Sequence, residues 1–226
     1  TLTKYKLDED NTNKIKLPNI MTNLKNKELI SEEIGKYNLL NWLEFIIKKK
    51  GNEFVIINEF SKCGNLECLK YAHANGCPWD DDVCRFAAIR GHLECLKYAN
   101  KNGCPLNNLT CASAAFNGHL DCLKYAHENN CPLNKYVSLT AASRGHFECL
   151  KYAHENGCHW DEQTCINAAR EGHLDCLKYA HENDCHWDDE VCEYATKNGN
   201  LECLKYAHEN GCEWDEMTCT LAARHG

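Results

Sequence analysis

Gly64, Gly91, Gly118, Gly145, Gly172, Gly199 and Gly226 recur at a constant interval of 27 residues. After each of the first six comes a near-copy of one phrase, from "NLECLKYAHANGC" (Asn65 to Cys77) to "NLECLKYAHENGC" (Asn200 to Cys212). A period of roughly 20 to 50 residues marks a chain that stacks one supersecondary unit on the next, as a solenoid or a propeller.

The content of the unit decides between the two. One segment reads "DEQTCINAAREG" (Asp161 to Gly172), the other "HLDCLKYAHEN" (His173 to Asn183). Cys165, Ala168 and Ala169 fall on one helical face, as do Leu174, Leu177 and Ala180. No alternating strand pattern occurs, so the unit is a pair of short antiparallel helices. Asp80, Asn107, Asn134, Asp161, Asp188 and Asp215 fill the slot before the first helix, where a side-chain oxygen accepts free backbone N–H groups. Gly76, Gly103, Asn130, Gly157, Asp184 and Gly211 fill the slot after the second, where a left-handed residue ends a helix. Asn and Asp are the substitutes that tolerate that conformation best. Helices of about 10 residues are unstable alone, so the array must fold as a stack.

The phase extends weakly upstream. Ile57 and Phe60 stand in the phases of Cys84 and Ala87, and Leu39, Trp42, Phe45 and Ile46 in those of Leu66, Leu69, Ala72 and His73. The chain divides into an arm over 1–25, poor in apolar residues, a divergent capping helix pair over 26–51, and an array over 52–226. The array holds six helix pairs and a final unpaired inner helix. Lys48 to Lys50 read as a solvated helix end. The chain opens on Thr1 and stops just after an inner-helix segment, so the natural protein is expected to extend further.

The pattern in Ala168-Ala169-Arg170-Glu171-Gly172-His173, continued by the Gly–Cys after the second helix, resembles the ankyrin repeat. The resemblance covers roughly 52–226 and, more weakly, the chain from 26. It implies an all-α, ankyrin-like helical-hairpin solenoid. The unit of 27 residues falls short of the family's usual length, and the Thr-Pro-Leu-His opening is missing. The β-hairpin fingers are therefore expected to be shortened or absent. The wording of the repeats is similar to short ankyrin-type repeats of giant DNA viruses and some protists, which implies a cytoplasmic protein, in a host cell or virion.

Bulk properties exclude several classes. A formal net charge of −8 fits neither a nucleic-acid coat nor an anionic-membrane binder. No apolar run approaches the roughly 18 residues of a membrane-spanning helix. Eighteen cysteines in a small secreted protein would mean a disulfide scaffold, but only 4 prolines accompany them and they recur in helical phase. Cys149, Cys158 and Cys165 take positions where the resemblance implies small buried side chains, and free Cys behaves as a small hydrophobe. Same-phase cysteines in neighbouring units stand about 8–10 Å apart, beyond the reach of a disulfide. His154, Cys158 and His159 form the best local zinc set, repeated only as His181, Cys185 and His186; zinc requires four converging ligands, and no CxxC occurs. No metal or other cofactor is expected. His92, His119, His146 and His173 are expected to hydrogen-bond between units, a part that Asn65 and Asn200 can also play. No catalytic constellation or phosphate loop stands out.

Repetition fixes the fold, and variation marks the surface free to specialise. With Cys84, Ala87 and Ala88 buried, about 100° per residue puts Asp82, Phe86 and Ile89 opposite them and Arg85 alongside. The same slots hold Leu109 and Phe116, then Tyr136, Leu139 and Arg144, then Gln163, Ile166 and Arg170, and last Glu193 and Tyr194. Apolar and aromatic residues on an otherwise polar face point to a contact patch. By resemblance, this concave side of the inner helices is where ankyrin proteins bind partners. The expected function is a non-catalytic scaffold for a protein partner, with no nucleic acid, membrane or metal involved. Two other readings stay open. One is a zinc-binding or redox-responsive Cys/His repeat. The other is a substrate-recruiting ubiquitin-ligase adaptor, which needs an F-box or similar segment that is not recognisable here. Oligomeric state is not legible.

Overall fold

The computed structural model describes residues 31, 32, 34, 40–52, 56–213, 218, 220, 223 and 224, except the side chain of residue 49. The arm over 1–25, Leu39, Asp215, Gly226 and most of the last inner-helix segment lie outside these residues. The described chain is helical throughout, and no strand occurs among the described residues. α1 (Leu40–Lys50) precedes six helical hairpins. They are α2 (Asn58–Lys62) with α3 (Leu66–Ala74), α4 (Asp82–Arg90) with α5 (Leu93–Lys101), and α6 (Asn108–Phe116) with α7 (Leu120–Glu128). Then come α8 (Lys135–Arg144) with α9 (Phe147–Glu155), α10 (Glu162–Glu171) with α11 (Leu174–Glu182), and α12 (Glu190–Lys197) with α13 (Leu201–Glu209). The even-numbered inner helices pack side by side along their length, and the odd-numbered outer helices touch their neighbours more sparsely. The tighter spacing on the inner side bends the stack toward the inner helices.

Small residues permit that spacing. α4 buries Val83, Cys84, Ala87 and Ala88, and α10 buries Cys165, Ala168 and Ala169 in the same way. The outer helices α3 to α11 each set a Cys, a Leu and an Ala into the core, as Cys149, Leu150 and Ala153 do in α9, whereas in α13 Leu204 is only half-buried. Full burial of such a leucine stabilises the stack by about 1.5–3 kcal/mol.

The helix ends follow the expected chemistry, with one correction. Asn107 and Asn134 accept from the N–H of Leu109 and Tyr136 at 3.1 and 3.0 Å. Asp80 and Asp188 accept from Asp82 and Glu190 in the same manner. Asp161 does not cap its helix with its side chain. Its carboxylate takes the Lys135 ammonium of the preceding unit, 3.3 Å away. At the outer-helix ends, Asn130 and Asp184 adopt φ of 68° and 64°, the left-handed turn that glycine makes in the other units.

One seam joins neighbouring units and a second closes each hairpin from α4 onward on itself. The first is a histidine on a glycine. His92 Nε2 bonds the Lys62 carbonyl at 3.1 Å, and its ring lies where any side chain on Gly64 would stand. His119, His146 and His173 lie in the same way against Gly91, Gly118 and Gly145. In the last hairpin Asn200 Nδ2 donates to the Ala169 and Arg170 carbonyls at 2.9 and 2.7 Å. The second seam is made by thiols. Cys104, Cys131, Cys158, Cys185 and Cys212 each donate to the carbonyl of the residue before or at their unit's inner-helix cap, with Cys131 and Cys158 at 3.1 Å. These cysteines are therefore donors as well as fillers. Ser138, in a slot otherwise held by Cys, donates its hydroxyl to the Cys158 sulfur at 3.1 Å.

The N-terminal helix departs from the phase read in the sequence. Leu43 and Ile46 are buried, with Trp42 half-buried and Phe45 36% exposed. The buried Leu43–Ile46 pair is one residue out of phase with Leu69 and Ala72. A lone, divergent copy has no internal repetition to reveal such a slip.

Candidate functional site

The inner helices α4 to α12 bury a stripe of Cys and Ala, with Ser138 in place of Cys in α8, which leaves the opposite side to solvent. Leu109 on α6 and Tyr136 on α8 stand 53% and 55% exposed at equivalent positions of adjacent units. Phe86, Ile89, Phe116, Leu139 and Tyr194 are half-buried on the same layer, as are Gln163 and Glu193, while Arg144 is exposed. Ile166 is a correction. It is 1% exposed and belongs to the core, not to the face. Its slot borders the buried stripe, and the inner helices pack closely enough to cover that border. Ala112, in the same slot, is buried too, whereas the longer chains of Arg85 and Glu193 carry their charged ends outward from it.

The aromatic residues of the face are partnered by cations. Phe86 on α4 has Lys62 of α2 4.3 Å above its ring and Arg85 at 4.4 Å. The Arg144 guanidinium of α8 lies 4.1 Å over Phe116 of α6, and that of Arg170 on α10 lies 4.0 Å over Tyr194 of α12. Cation–π contacts thus bridge three pairs of neighbouring inner helices, each worth roughly 0.5–1 kcal/mol at an exposed site. Asp82 lies 2.7 Å from Arg85, and that hydrogen bond holds its carboxyl below the usual range. Arg90 and Lys197, which stand in the variable slots of the sequence, also belong to this face, as does Lys62, which the sequence pattern did not single out. The signal was present, because Lys62 and Lys197 occupy the same repeat slot as Ile89, Phe116 and Arg170.

The Cys/His set has other work. His154 stacks on Trp160 at 3.8 Å with a 4° interplanar angle and meets Tyr179 edge-on. His181, Trp187 and Tyr206 repeat this cluster, as do His73, Trp79 and Tyr98. Cys158 is buried against Ser138, and His159 is exposed. Among the described residues no three His, Cys, Asp or Glu side chains are grouped to hold a metal ion. All 17 described cysteines are free thiols, and burial pushes Cys149 up to about 11 and Cys176 up to about 12. Surface concavities are open clefts between units, such as the one lined by Gly145, Phe147, His173 and Leu174. Among the described residues no helix is long and apolar enough to cross a membrane.

Residues 139–181 match the family model for ankyrin repeats (many copies). The crystal structure of the human ASB11 ankyrin repeat domain is similar in fold, with a TM-score of 0.62 at 19% sequence identity. The likeness covers 75% of this chain and 97% of that one. Comparison with curated proteins gives no match. The fold is that of an ankyrin-like helical-hairpin solenoid, the family model matches residues 139–181 of it, and its loops carry no β-hairpin among the described residues.

Proposed function

We propose that this chain is a non-catalytic interaction scaffold that captures a protein partner on the exposed face of its inner helices. The observation that carries the reading is the side-by-side exposure of Leu109 and Tyr136, flanked by Phe86 and Phe116, on the layer whose sequence changes from unit to unit. Large apolar side chains clustered on a rigid surface supply the anchors of protein interfaces. The partner is a protein of the host or the virus if the repeats are viral, as their wording implies, and the encounter is then cytoplasmic. The test is a pull-down from cell extract with the intact chain and with Leu109→Asp/Tyr136→Asp. Both side chains point outward, so the variant should keep its helical circular dichroism and lose its captured proteins. Equal capture by both chains refutes the assignment of the face.

A further inference from the structure

Each layer holds paired and unpaired cations: Lys62, Arg85 and Lys135 of the inner layer are ion-paired, and Lys70, Lys124 and Lys178 of the outer layer lie over tyrosine rings. On the outer layer, Lys97, Lys151 and Lys205 pair with Glu94, Glu155 and Glu202 of their own helices. On the inner layer, Arg90, Arg144, Arg170 and Lys197 make no ion pair among the described residues. All four stand in the last turn of their helices, so they line one edge of the face. The carboxylates Asp82, Glu162, Glu190 and Glu193 lie in first turns, at the other edge; Glu171 is the exception. Within a molecule of net charge −8, four cations without ion pairs thus line one edge of the variable side, at the end of the hairpins where the outer helices begin with Asp121, Glu148 and Asp175.

Helix dipoles favour cations at C-terminal ends, by about 0.3–1 kcal/mol each. That accounts for their position, but it leaves the guanidinium donors free. The aromatic rings hold those donors in place. Stacking engages the flat face of Arg144 and Arg170, and a guanidinium stacked this way still has its edge N–H groups available for a carboxylate. Arg170 gives one N–H to Asn167 Oδ1 at 3.0 Å, and its Nε has no hydrogen-bond partner. Between the two cationic stretches, α6 bears no charge and presents Phe116 at its C-terminal end.

We infer that the partner segment is an acidic peptide, laid in extended form across the C-terminal edge of the inner helices. It places carboxylates on Arg90, Arg144, Arg170 and Lys197 and an apolar side chain on α6. This inference rests on the proposed scaffold role and adds the partner's chemistry. Neighbouring helices stand about 8–10 Å apart, and an extended chain advances about 3.3 Å per residue. One helix therefore corresponds to about three residues of peptide. The segment then reads Glu-x-x-Leu-x-x-Glu-x-x-Glu-x-x-Glu in either chain direction.

The test is fluorescence anisotropy with the intact chain and a labelled peptide of that pattern. Controls are a scramble of the same composition, a Lys-for-Glu version and a single-stranded oligothymidine. The patterned peptide should bind about tenfold tighter than the Lys version and measurably tighter than the scramble. Its affinity should fall with salt and drop about tenfold in Arg144→Glu/Arg170→Glu. Lys97→Glu/Lys205→Glu on the outer layer should leave it unchanged. Equal affinity for the scramble, an unaltered Arg144→Glu/Arg170→Glu variant, or tighter oligothymidine binding overturns the inference. None of these results touches the pull-down on Leu109 and Tyr136, so the two readings fail separately.

Discussion

From α4 onward inner and outer helices alternate one for one and are almost equal in length, yet they hold their sequence in opposite ways. The outer helices that follow α1 repeat one phrase, down to exposed residues such as Lys124. The inner helices agree only at buried slots such as Cys84, Ala87 and Ala88, and differ almost everywhere else. The geometry of the seams accounts for half of this. Between the two helices of a unit, the glycine at the inner-helix end receives a histidine ring, or Asn200, from the next unit, which leaves no room there for a side chain. The solvent side of an inner helix touches nothing that recurs, so each unit can carry a different side chain there. Tolerance to substitution thus tracks which surface a neighbouring copy occupies.

Two glycines break this comparison most sharply. Gly118 and Gly157 both adopt left-handed backbone, at φ of 73° and 80°. A Cβ on Gly118 would lie 2.5 Å from His146 Nδ1, whereas a Cβ on Gly157 would meet nothing within 4 Å. Gly157→Ala should cost only the left-handed conformation, about 1–2 kcal/mol. Gly118→Ala adds the displacement of the ring, for a total of about 2–5 kcal/mol. Urea unfolding followed by circular dichroism reads the difference. Similar losses for both would mean that the histidine yields freely and the seam is not tight.

Ile166 and Tyr136 sharpen the boundary between core and face. Ile166→Ala empties a fully buried site and should cost about 2–4 kcal/mol. Tyr136→Ala should change stability by less than about 1 kcal/mol and act on partner capture instead. The same unfolding experiment separates them, and a reversed order would return Ile166 to the face.

Much of this was legible in the sequence, for a physical reason. A chain that repeats itself reports its own tolerances, so Asn130 and Asp184 in a glycine slot are enough to disclose a left-handed turn. Asn200 in a histidine slot likewise discloses a polar bridge. Legibility fails where a copy stands alone or where the contact runs between units. The slipped stripe of α1 has no second copy to align against. Ile166 reads as exposed because a helical wheel knows the angle of a slot and not the distance to the next helix. The pairing of Arg144 with Phe116 requires knowing which slots of adjacent units meet, and a wheel drawn for one helix cannot supply it. Cysteine composition names a small buried side chain but not the carbonyl it serves.

The smallest effect concerns protons at the histidine seam. Burial pulls His119 below its ordinary pKa of 6.5, and charges on His92 and His146 push the same way, against a backbone hydrogen bond to Ile89. The unfolded chain therefore binds a proton that the folded chain refuses between the ordinary value and the lowered one. This contribution to stability is intact above about pH 6.5 and is lost as the pH falls through that window, levelling off below the folded-state pKa. Carboxylates titrate near pH 4, so a series from about pH 7.5 to 5.5 isolates the imidazole. Asn200 fills the equivalent slot with an uncharged amide, and His119→Asn copies that solution. Its unfolding midpoint should fall less over the series than that of the parent chain. Superimposable profiles would mean that water reaches the ring as readily in the stack as in the unfolded chain, and that the seam is held by shape alone.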